Sequence, residues 1–94
     1  MYMTAISDTA HPRLAKGVRL QSDSATRKTV LLFPEGVVEL NETAHEILMR
    51  CDGRTVSEIV QALAEDYDAD LAALATDVRE TLADLQQRRL IELR

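Results

Sequence analysis

Cys51, His11 and His45 are the side chains of this chain best suited to nucleophilic or metal chemistry, and their placement suits neither. A nucleophile needs an adjacent base to activate it, and a zinc ion needs several Cys, His or carboxylate donors at matched spacings. Here His11 lies in a polar N-terminal stretch and His45 stands alone in a predicted helix, with no second His or Cys at a ligand spacing. Cys51 is the sole cysteine, so an intramolecular disulfide is excluded, and its apolar helical position is the usual home of an inert thiol. The acidic run Glu65, Asp66, Asp68 and Asp70 straddles the end of one predicted helix and the cap of the next, which reads as solvated loop charge. No enzyme, no cofactor and no metal centre is therefore expected.

Two further sites of chemistry fail on context. Asp23-Ser24 invites comparison with the Asp-Ser-Leu of phosphopantetheine carriers, but a carrier places that serine at a helix start, whereas Ala25 follows here and strand residues flank both sides. A winged-helix DNA-binding transcription regulator is the alternative class, since the chain ends in a predicted three-helix array. Electrostatics oppose it. Residues 55–67 contain no Lys or Arg, and residues 70–90 set three Arg (79, 88, 89) against four acidic residues (70, 77, 80, 84). A net charge of −5 likewise disfavours phosphate contact.

With chemistry excluded, function must reside in a surface, and the elements decide which one. Val18 and Leu20 alternate with Arg19 and Gln21 before a Ser22-Asp23-Ser24 turn, the pattern of a first strand. Thr29 to Phe33 is an unbroken β-branched and apolar run, and Pro34-Glu35-Gly36 places Pro at i+1 and Gly at i+3 of a type I turn into a third strand, Val37 to Leu40. Asn41 then caps a helix whose apolar face is Ala44, Ile47, Leu48 and Cys51, with Asp52-Gly53 as its stop and Gly53 at C′. Thr55-Val56-Ser57-Glu58 is a capping box for a second helix to Tyr67, with Val56, Ile59, Val60, Leu63 and Tyr67 on one side. A third runs from an Asp70 cap to about Arg89, with Leu71, Leu74, Val78, Leu82 and Leu85 in register.

Strands first and helices afterwards define an α+β fold, a three-stranded antiparallel meander followed by three helices that cover one face of the sheet. Ninety-four residues suffice for one domain. Residues 1–12 offer no periodic apolar face and are expected to be a flexible arm, leaving 13–94 as the domain. The N-terminus lacks the apolar run of a signal peptide, and no segment is long and apolar enough to span a bilayer, so a cytoplasmic location is expected.

The third strand comes last in the meander, so one of its sides is unpaired unless the arm or a neighbouring helix covers it, and the sequence weighs these two readings equally. An open edge is a template for β-augmentation, and only Glu39 interrupts the apolar Val37, Val38 and Leu40. A proline at Val38 tests the edge provided the Val38 N–H faces the open side.

Several segments resemble the PqqD family, small peptide-binding proteins of pyrroloquinoline quinone (PQQ) biosynthesis, and more widely the recognition elements that hold precursor peptides for modifying enzymes. The broad pattern is carried by Leu40-Asn41 with Ala44, Ile47 and Leu48, by Asp52-Gly53 with Thr55 and Ile59, and by Asp77-Val78 with Leu82 and Leu85. Pro12-Arg13-Leu14, Val18-Arg19-Leu20 and Leu31-Leu32-Phe33-Pro34-Glu35-Gly36 resemble the PqqD family itself. One departure is Arg89 before Leu90-Ile91, where relatives often carry glycine. The resemblance implies a winged-helix-like fold and a non-catalytic adaptor that binds the precursor peptide PqqA along the third strand and presents it to the radical SAM enzyme PqqE. On that implication Val37, Val38, Glu39 and Leu40 pair with the peptide, while Leu74, Val78, Thr81, Leu82 and Leu85 shape its pockets, although the apolar four suit a plain core stripe equally well. A monomer is expected in solution, with edge pairing or element swapping as routes to a dimer in a crystal.

Overall fold

The computed structural model describes residues 6–94. Five strands and three helices follow in the order β1 (Pro12–Leu14), β2 (Arg19–Asp23), β3 (Lys28–Phe33), β4 (Gly36–Leu40), α1 (Glu42–Met49), α2 (Val56–Tyr67), α3 (Leu71–Gln87) and β5 (Ile91–Leu93). Strands β2, β3 and β4 form the expected antiparallel meander, with Leu20 opposite Leu31 and Leu31 opposite Val38. Leu31, fully buried, carries the inner face of the sheet onto the helices, where it joins Ile47, Val56, Ile59, Val78 and Leu82 in one core. Burying side chains of this size stabilises by roughly 1.5–3 kcal/mol each.

The predicted helix starts are realised atom by atom. Asn41 Oδ1 accepts from the Ala44 N–H at 2.7 Å, and Asp70 Oδ2 accepts from the Ala73 N–H at 3.1 Å. The capping box is complete: Thr55 Oγ1 accepts from the Glu58 N–H at 3.1 Å while Glu58 Oε1 accepts from the Thr55 N–H at 2.8 Å.

The ends differ from expectation. Helix α1 stops at Met49 with Arg50 as its C-cap, so Cys51 lies beyond the helix and Gly53, although its φ is +108°, turns the following loop instead of occupying C′. Its apolar face is therefore Ala44, Ile47 and Leu48. Tyr67 and Leu71, expected on core faces, are 52% and 51% exposed where α2 hands over to α3. Helix α3 ends at Gln87 in a Schellman turn: the Leu90 N–H donates to Leu85 O at 2.9 Å and the Arg89 N–H donates to Gln86 O at 2.9 Å. That turn places Arg89 at φ +61°, a left-handed position that suits glycine.

Residues 6–12 are docked, which corrects the expectation of a free arm over 1–12; its first five positions lie outside the described residues. Ile6 enters the core, Pro12 is fully buried, and β1 pairs with β5 through Arg13 opposite Glu92. The main-chain bonds His11 N–H to Arg94 O at 2.8 Å and Arg94 N–H to His11 O at 3.1 Å extend that two-stranded sheet. Three-residue strands carry too little alternation to stand out in the sequence, which is why this sheet was not expected.

Candidate functional site

Strand β4 is an edge of its sheet, with β3 on one side and, among the described residues, no strand on the other. The two-residue loop Pro34-Glu35 sets Phe33 opposite Gly36, the hydrogen-bonded closing pair of a hairpin. Bonded pairs alternate with non-bonded ones along an antiparallel ladder, so Leu31–Val38 and Thr29–Leu40 are bonded as well. The intervening residues, Val37 and Glu39, turn their N–H and C=O groups outward. This corrects the condition set for Val38: its N–H faces β3, and proline there breaks the sheet instead of probing the edge.

Side chains alternate in the other direction. Val38 and Leu40 share the helix-facing side with Leu31, whereas Val37 stands 59% exposed and Glu39 forms an ion pair with Lys28 at 3.3 Å on the outer face. Beyond the open edge lies a groove of about 330 Å³ between β4 and the C-terminal half of α3. Val38, Glu39, Leu40 and Asn41 form one wall, Glu80, Thr81, Asp84, Leu85 and Arg88 the other, and Ala44 lies between them. Of the helix positions singled out in the sequence, Thr81 and Leu85 line this groove. Leu74 and Val78 line a separate apolar cleft of about 230 Å³ toward the start of α3, and Leu82 is fully buried in the core.

Glu80, Asp84 and Arg88 were not anticipated. Their spacing of four residues sets them along one polar helix face beside the apolar stripe, and a search restricted to apolar positions passes over them. Asp84 and Arg88 form an ion pair at 3.3 Å, while Glu80 has no ion-pair partner among the described residues. The groove thus has an apolar floor and an acidic rim.

Arg50, the C-cap of α1, fastens α1 to α2. Its guanidinium donates to Glu46 Oε1 at 2.7 Å, to Glu46 O at 2.9 Å and to Asp66 Oδ2. The hydrogen bond from Arg50 holds the Glu46 carboxyl below the usual carboxylate range, and the same bond raises Arg50. Burial pushes the Cys51 thiol up to about 12, so at neutral pH it is protonated and a poor nucleophile. Among the described residues no group of three or more His, Cys, Asp or Glu side chains could hold a metal ion, and no helix is long and apolar enough to cross a membrane.

A three-stranded antiparallel meander whose last strand lies at an edge beside a helix-walled groove, followed by three helices, is the fold of the RiPP recognition elements, the class of precursor-peptide recognition domains. Within that class the chain belongs to the PqqD family: the model of Coenzyme PQQ synthesis protein D matches residues 28–91. A PqqA binding protein of Xanthomonas oryzae pv. oryzae is 48% identical over 92 residues, spanning 97% of this chain and all of that protein. The solution NMR structure of the PqqD truncation of Methylobacterium extorquens PqqCD, described as a functional, stand-alone RiPP recognition element, superposes with a TM-score of 0.81 at 45% identity, covering 95% of this chain and 96% of that one. A lasso peptide synthetase B1 complexed with its leader peptide shares the fold at a TM-score of 0.76 and 22% identity, covering 87% of this chain and 98% of that one. Membership of the PqqD family makes the chain a non-catalytic component of coenzyme PQQ synthesis.

Proposed function

We propose that this protein binds the precursor peptide PqqA as an added strand on β4, within the groove against α3, and presents it to the radical SAM enzyme PqqE. The observation that carries the reading is the outward-facing main-chain pair at Val37 and Glu39, which offers donors and acceptors to a peptide backbone beside a groove built for its side chains. Relatives named PqqA binding protein, 48% identical over nearly the whole chain, supply the identity of the peptide. Val38 and Leu40 set the floor, and Thr81 and Leu85 contact alternate side chains from the helix. An adaptor of this kind contributes no bond-making group. It acts by raising the concentration of the peptide near an enzyme that binds the same complex.

The test is a titration of isotope-labelled protein with PqqA, followed amide by amide. Shifts and slowed hydrogen exchange at Val37 and Glu39, with smaller changes at Thr81 and Leu85, are expected. Binding that leaves the β4 amides untouched, or no binding at all, overturns the reading. Size-exclusion chromatography of PqqE with and without the loaded complex tests the enzyme step, and a failure to co-elute removes PqqE from it.

A further inference from the structure

The second cleft is not used by a peptide confined to the edge of β4, yet it lies on the same path. Its floor is Ile47, Leu63 and Val78, its wall includes Leu74, and its rim carries Glu42 and Asp77. The groove along β4 ends at Leu40 and Asn41, and the chain passes directly from there into Glu42 at the mouth of this cleft. On α3 the two sites are consecutive: Leu74 and Val78 belong to one, Thr81 and Leu85 to the other, at the three- and four-residue steps of a single helix face. Leu74 and Leu85 are eleven positions apart, about 16 Å at the helical rise, which an extended peptide covers in about five residues.

We propose that the peptide continues past the end of β4 and seats one bulky apolar side chain in the cleft, with a Lys or Arg next to it facing Glu42 and Asp77. This rests on the β4-pairing reading above. Three observations select the occupant. The cleft is open while its lining is predominantly apolar, so it suits a hydrophobic side chain and not a polar one. Neither Glu42 nor Asp77 is ion-paired among the described residues, which leaves two carboxylates to receive a cation. Tyr67, part of the cleft's lining and half exposed, adds apolar surface at its mouth where a continuing peptide would run.

Methyl-labelled protein titrated with full-length PqqA tests the proposal. The methyl resonances of Ile47, Leu74 and Val78 are expected to shift together with the β4 amides and to give the same dissociation constant. Thr43→Trp, which fills the mouth of the cleft from an exposed position on α1, should weaken PqqA at least tenfold while its melting temperature stays within a few degrees of the parent. Asp77→Lys should weaken it several-fold at low salt and less at high salt. Shifts at the β4 amides with silent cleft methyls and unchanged Thr43→Trp affinity overturn this inference and leave edge pairing standing. Silence at both places overturns both.

Discussion

Leu31 and Val38 face each other as a hydrogen-bonded pair in the β3–β4 ladder, and that pairing decides which backbone groups of the edge strand are free. Glu39, one residue on, presents its N–H outward. Glu39→Pro is therefore expected to keep the fold, since an outward N–H on an edge strand holds up no ladder bond. The lost hydrogen bond, worth about 0.5–1.5 kcal/mol, should weaken PqqA roughly three- to tenfold by calorimetry. Glu39→Ala separates the loss of the Lys28 ion pair from the loss of the donor. Val38→Pro, by contrast, should lower the melting temperature through the broken bond to Leu31; a well-folded Val38→Pro protein that has lost binding would reverse the assignment of inward and outward residues.

Arg89 occupies the left-handed C′ position of a complete Schellman turn. A side chain there carries a steric cost that glycine avoids, of about 1 kcal/mol. Arg89→Gly should raise stability by about that amount, or roughly 4–8 °C in melting temperature for a domain of this size. A calorimetric scan showing no change or a decrease would mean that the Arg89 side chain contributes contacts that offset its backbone.

Glu46 and Glu58 both titrate below the ordinary carboxylate range, Glu46 through the hydrogen bond from Arg50 and Glu58 through its bond from the Thr55 N–H. As pH falls the unfolded chain binds these protons first, near 4.3, so stability rises with pH across this interval. Their contribution is complete above about pH 5.5 and is lost as pH falls through 4.3 and then through the lower folded-state values. Urea midpoints measured from pH 6 to pH 3 should fall steadily. Glu46→Gln should cost about 1 kcal/mol at neutral pH and flatten the acid limb; a variant with the same acid slope as the parent would mean that Glu46 does not contribute to it.

The helix caps were legible because Asn41, Thr55, Glu58 and Asp70 act within four residues of themselves, and local hydrogen bonding leaves a local signature. The open edge was legible as topology, because a meander must end somewhere. Which of Val37, Val38 and Glu39 faces outward was not, because that depends on the register set by the turn at Pro34-Glu35. Leu71, Leu74, Val78 and Leu82 read as one stripe yet range from half exposed to fully buried, since the stripe is wider than the neighbours that cover it. The β1–β5 pairing was hidden for a different reason: it joins the two ends of the chain, and nothing within either end announces its partner.

That pairing also fixes residues 6–12 where the start of α2 needs them. The first N–H groups of a helix have no partner inside it, and here each has one. Glu58 Oε1 accepts from Thr55, Ala10 O accepts from Val56 at 2.9 Å, Asp8 O accepts from Ser57 at 3.0 Å, and Thr55 Oγ1 accepts from Glu58. Asp8 forms an ion pair with Arg79 on α3, and Ile6 adds its side chain to the core. Deleting residues 1–10 removes two of those four acceptors together with Ile6, whose loss alone is worth about 2 kcal/mol. Hydrogen exchange at the Val56 and Ser57 amides should then accelerate far more than exchange in the middle of α3, and the melting temperature should drop by at least 8 °C. Ile6→Ala should reproduce most of the thermal loss without the local acceleration, because it leaves both carbonyls in place. If the deletion leaves exchange at Val56 and Ser57 unchanged, the segment does not cap α2 in solution.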